Sequence, residues 1–87
     1  MERKTNLFDQ NLIQTVLMEI DNQIKQGVLP INDQNLAHLC DEGEVLDYLL
    51  YLKNRGLISA SVVKKGAEGV LYKMVNIRLT YLGMRAL

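Results

Sequence analysis

The sequence predicts one small domain, mainly α-helical, with an antiparallel β-hairpin in its second half. Three observations predict it. Apolar residues recur at helical spacing through the first half, two later runs alternate around β-branched residues, and 87 residues are too few to bury a second core. An apolar fraction of 48% with 23% charged residues is that of an ordinary globular chain. No Gly/Ser/Pro-rich or repetitive stretch marks a linker, so the chain is expected to fold throughout, apart from residues 1–5, which are expected to be flexible.

Taken in order, Asn6 is placed to cap a first helix whose N3 residue is Asp9, with Leu12, Ile13, Val16, Leu17, Ile20 and Ile24 along one stripe and Gly27 at its end. "VLPI" then reads as a short edge strand, because Pro30 cannot donate to a ladder and turns Leu29 away from helix. Asn32 or Asp33 caps a brief second helix carrying Leu36, Ala37 and Leu39. Asp41 stands three before Glu44, the spacing of a capping box, and opens a third helix from Glu42 to about Asn54 with Val45, Leu49 and Leu52 as its inner seam. Gly56 falls where a left-handed C′ residue is wanted. "LISASVV" and "GVLYKMVNIRL" follow as two strands joined by "KKGAEG", with Val75, Ile77 and Leu79 on an inner face and Asn76, Arg78 and Thr80 on an outer one. Thr80 caps a last helix, "YLGMRAL", whose Leu82 and Leu87 are expected to return to the core.

This order of helix, short strand, helix, helix, hairpin and helix (α-β-α-α-β-β-α) resembles the winged-helix, or winged helix-turn-helix, fold over nearly the whole chain. "YLKNRGLI" looks like the hLxxxGLh ending of a recognition helix, and "IRLTYLGMRAL" looks like the LTxxGxxhL close of MarR-type and PadR-type prokaryotic regulators. The resemblance implies a single winged-helix domain over residues 1–87, double-stranded DNA as a partner, a homodimer, and a role in transcription regulation. It also implies that the outward residues of the third helix, here Glu44, Leu46, Asp47, Leu50, Tyr51 and Asn54, would meet DNA. Winged helices serve as dimerisation and docking modules too, and a fold does not establish what its surface does.

Charge divides the two implications. Net charge is zero, but residues 1–50 hold nine acids against three bases, a balance of minus six, and residues 51–87 hold seven bases against Glu68, a balance of plus six. Glu44 and Asp47 would bring the wrong sign to a phosphate-lined groove, and Leu46 and Leu50 cannot hydrogen-bond a base edge. Only Asn54 has base-reading chemistry. The plain account of Asp41, Glu42 and Glu44 is stabilisation of a helix N-terminus. Lys64, Lys65, Lys73 and Arg78, on or beside the hairpin, are the candidate phosphate contacts, extended by Lys53, Arg55 and Arg85 and by a stacking surface at Tyr72; the plain alternatives are solvated lysines and a packed tyrosine. With the inner seam filled, Leu46, Tyr48, Leu50 and Tyr51 make the third helix apolar most of the way round. Either the first helix and hairpin cover Leu46 and Tyr48, or Leu46, Leu50 and Tyr51 form a subunit or partner interface.

Enzymatic readings find little support. His38 and Cys40 give an H-x-C spacing without further zinc ligands, "DEGE" lacks the alternation of a calcium loop, and "KKGAEG" lacks the strand-loop-helix context of a phosphate loop. No catalytic constellation, metal or cofactor is expected. "LIQTVLMEI" is about half the roughly 20 residues of a membrane span and is interrupted by Glu19. With one cysteine and no signal-peptide pattern, a cytoplasmic location is expected. Two functions stay open: a regulator touching DNA weakly through its basic wing, and a protein-interaction or dimerisation module with no DNA role.

Overall fold

The computed structural model describes residues 8–40, 42–65 and 71–87. Helix α1 spans Gln10–Lys25, a 3₁₀ helix spans Asp33–Leu39, α2 spans Glu42–Asn54, strands β1 and β2 span Ile58–Lys65 and Leu71–Leu79, and α3 spans Tyr81–Arg85. The described residues are therefore mainly helical with one two-stranded antiparallel sheet.

The stripe of α1 packs as its spacing predicts: Ile13, Val16, Leu17 and Ile20 are buried, with Leu12 and Ile24 against their flank. The helix starts later than expected. Asp9, not Asn6, is its N-cap, accepting from the Asn11 N–H at 2.8 Å, and Asn6 lies outside the described residues. Both long helices end alike. After α1, Gly27 at φ +87° donates to the Ile24 carbonyl and Val28 to that of Gln23; after α2, Gly56 at φ +77° donates to Lys53 and Leu57 to Leu52. This paired closure uses the left-handed C′ position that glycine fills without a Cβ penalty. Asn32 caps the 3₁₀ helix through a reciprocal pair with Asn35. The capping box expected at Asp41 lies outside the described residues.

The "VLPI" strand does not form: among the described residues the sheet has only β1 and β2, and the Leu29–Pro30 peptide is cis. What replaces it is a pair of acceptors. The Ile77 N–H donates to the Ile31 carbonyl at 2.9 Å, and the Met74 N–H donates to the Asp33 carboxylate at 3.0 Å in a buried bond. Asp33 thus serves β2 rather than the cap. The partners lie three residues apart on β2, where a regular strand would place them two apart, because the strand bulges. Ser59 faces Arg78 and Ser61 faces Val75, so Asn76 and Ile77 together oppose Ala60, with Asn76 at φ +56°.

That extra residue corrects the expected facing of β2. Met74 and Ile77 are the buried pair and Val75 is not, since the bulge shifts the alternation by one between them. Val45, Leu49 and Leu52 of α2 are buried as predicted, joined by Tyr48, and pack with Ile58, Met74 and Ile77 in one core. Each fully buried Leu or Ile contributes roughly 1.5–3 kcal/mol.

Helix α3 also differs from expectation. Leu82 and Leu87 do not return to the core but stand more than 45% exposed. The helix is held by polar bonds instead: the Thr80 hydroxyl donates to the Gly56 carbonyl at 2.6 Å and accepts from the Gly83 N–H, while the Thr80 N–H donates to the Leu57 carbonyl. Gly83 is the buried residue of α3, and a Cβ there would overlap the Leu57 carbonyl oxygen. The bare glycine sets how closely α3 sits on the β1 entry.

Two substitutions test these joints. Asp33→Ala is expected to cost about 1–3 kcal/mol in urea denaturation, because it leaves the buried Met74 N–H without an acceptor; Asp33→Asn, which keeps an oxygen, should cost less. Gly83→Ala is expected to cost about 2 kcal/mol or more, or to release α3, read by the same denaturation together with amide exchange at Met84 and Ala86.

Candidate functional site

The hairpin has two unlike faces, and its register assigns each residue to one. Ile58, Ala60, Val62 and Lys64 share the inner face with Tyr72, Met74, Ile77 and Leu79, while Ser59, Ser61 and Val63 share the outer face with Lys73, Val75 and Arg78. Lys73 and Arg78 therefore lie on one surface, both exposed and neither in an ion pair among the described residues. Lys64 is exposed as well, but stands opposite Tyr72 on the inner face. The candidate bases thus divide between the faces. Lys65 ends β1, and its side chain, like the tip at residues 66–70, lies outside the described part. Neither strand contains an acid. Arg78 also borders a shallow depression of about 270 Å³ with Leu29, Pro30, Ile31, Asn76 and Ile77.

Of the three bases expected to widen this patch, Lys53 is half-buried in the last turn of α2 and the two arginines lie over tyrosine rings. Arg55 lies 5.5 Å from the Tyr51 ring centroid and Arg85 lies 5.6 Å from that of Tyr81, both within cation–π range. Tyr72 is half-buried against the core on the inner face, away from Lys73 and Arg78.

On α2 the exposed residues Glu44, Asp47, Leu50 and Asn54 form one stripe opposite the buried seam. Asn54 borders a shallow depression of about 260 Å³ together with Phe8, Asp47, Leu50 and Tyr51, so it groups with the interface candidates rather than the wing bases. Those candidates separate. Leu46 is partly buried against the core and Tyr51 is stacked on Phe8 with centroids 4.4 Å apart, which leaves Leu50, 36% exposed, as the open apolar side chain of the stripe. Phe8 was not singled out from sequence. It meets Tyr48 edge-on as well, and the Asp9 N–H donates to the Tyr48 hydroxyl at 2.9 Å, so the residues leading into α1 cover the Tyr48 and Tyr51 side of α2. Phe8 one residue before the Asp9 cap was the available signal, since an apolar N′ residue commonly packs at a helix start.

Sequence reasoning missed a second apolar surface. Tyr81, Leu82, Met84 and Leu87 are exposed, Tyr81 by 71%, and Leu87 borders a depression of about 530 Å³ with Met18, Thr15 and the acidic outer side of α1. His38 Nε2 lies 3.6 Å from Glu19 on the surface, and Cys40 is half-buried against the core. Among the described residues, no three His, Cys, Asp or Glu side chains are grouped to hold a metal ion, and no helix is long and apolar enough to cross a membrane. Compared with protein-family models, with curated proteins and with solved structures, the chain matches none.

The aromatic joint gives a direct test. Tyr48→Phe should cost about 1 kcal/mol in urea denaturation, because the partly buried Asp9 N–H loses its acceptor while the ring packing stays.

Proposed function

We propose that the chain is a small non-enzymatic winged-helix-type module that contacts double-stranded DNA weakly through the outer face of its wing, in the manner of a prokaryotic regulator whose third helix reads few bases. The observation that carries this reading is the pairing of Lys73 with Arg78 on one exposed hairpin face, free of ion pairs among the described residues and on strands without an acid. Lysine and arginine neutralise phosphates without exact geometry, and a few such contacts give affinity without sequence choice. The acids support the same division of labour. Glu44 and Asp47 are exposed on α2, whose seam packs on the inner face of the hairpin, so neither shares the outer face with the bases. An α2 that bears Glu44, Asp47 and Leu50 outward is poorly suited to a major groove.

A protein-interaction role is the second reading, favoured by the exposed apolar surface of α3 and by Leu50 beside its depression. The readings part in one titration. Fluorescence anisotropy of a labelled mixed-sequence duplex at low salt should show binding whose log–log salt slope is roughly 2–3, as expected for two or three phosphate contacts. Lys73→Glu with Arg78→Glu should weaken it at least about tenfold, whereas Leu50→Glu should change it less than about twofold. No binding by the parent protein at tens of micromolar, or loss on Leu50→Glu alone, would overturn the wing reading.

A further inference from the structure

Among the described residues the sheet has one closed edge and one open edge. Met74 sends its N–H to Asp33, away from β1, so Val62↔Met74 is a non-hydrogen-bonded pair of the ladder, and the N–H and C=O of Val62 point to the far side of β1. By alternation those of Ala60 and Lys64 point the same way. No backbone or side-chain group among the described residues meets them. Natural edge strands are ordinarily blunted by charge, proline or a bulge. Here β1 carries no proline, its only charges are Lys64 and Lys65 at its C-terminal end, which leaves Ile58–Val63 uncharged, and the bulge residues are on β2. Val62 and Val63 are 44% and 40% exposed on opposite faces of the strand.

We propose that β1 pairs antiparallel with β1 of a second copy, across a two-fold axis at Val62, to form a four-stranded sheet. The strand is compatible with itself in this register. Val62 meets Val62, Ser61 meets Val63 and Ala60 meets Lys64, so no like charges oppose each other and both exposed valines gain an apolar or small neighbour. A foreign strand would need side-chain pockets to be selected, and none of the three depressions described above borders β1. A single strand pair buries less than the standard interface, so the dimer is weak. The pairing stands independently of the DNA reading; where both hold, Lys73 and Arg78 of two copies lie on one sheet face.

Amide hydrogen exchange against protein concentration tests it, with sedimentation in parallel. Raising the protein from about 20 µM to about 1 mM should slow exchange at Ala60, Val62 and Lys64 at least about threefold, leave Ser61 and Val63, already bonded to β2, unchanged, and shift sedimentation toward a dimer. Val62→Pro removes an N–H that β2 does not use and should remain monomeric at the higher concentration with its circular dichroism spectrum intact. A protein that is monomeric at about 1 mM, or that dimerises without protecting the alternate β1 amides, overturns the proposal. Should the proline variant fail to fold, the exchange pattern of the parent protein decides.

Discussion

Among the described residues, strand β2 has a strand partner on one side only, and the whole arrangement follows from how its other side is satisfied. A buried amide without an acceptor costs about 1–3 kcal/mol, and β2 presents two of them away from β1, at Met74 and Ile77. The chain answers with the Ile31 carbonyl and the Asp33 carboxylate, an improvised third strand made of one backbone acceptor and one side chain. Once Asp33 is fixed there, the 3₁₀ helix that it begins lies between α1 and the hairpin, where Leu36 enters the core and Gln23 of α1 donates to the Asn35 carbonyl at 2.9 Å. Closing one edge of the sheet in this way also leaves the other as the open one.

Much of the local structure was legible because it depends on single residue types at fixed offsets. Gly27 and Gly56 end their helices in the left-handed conformation that few other residues adopt cheaply, and Thr80 caps α3 as its side chain predicts. The seam Val45, Leu49 and Leu52 follows from helical spacing alone. The failures have a different origin. Asn32 or Asp33 reads as the cap from sequence and Asn32 takes it, but the work of Asp33 appears only when a strand 41 residues away needs an acceptor. The bulge was signalled faintly by Asn76, since asparagine is enriched at positive φ, but an alternating pattern gives no warning that its phase will slip. Leu82 and Leu87 look like core residues because they are leucines; the packing limit at Gly83, which presses α3 against the Leu57 carbonyl, is invisible without the fold.

The candidate surfaces show the same division. Charge asymmetry along the chain was readable by counting, and it located the bases in the second half. Which of them act together was not readable, because it rests on strand parity. Lys73 and Arg78 are five residues apart, so a regular strand would place them on opposite faces, and the bulge brings them onto the same one. The extra residue that spoiled the expected facing of Val75 therefore assembles the paired bases.

The surfaces also differ in how much recognition each could support. On the proposed DNA reading, two or three phosphate contacts would make an affinity that falls steeply with salt and carries little sequence information, since specificity comes from base edges that α2, with its outward acids and leucine, is poorly equipped to read. A weak binder of the proposed kind would gain most from presenting the same face twice, because a second contact on one duplex is an intramolecular event at high effective concentration. The open edge of β1 and the basic outer face belong to the same two strands, so pairing at that edge would duplicate the face without covering it. That geometric economy favours reading the hairpin, rather than α2, as the working part of the molecule.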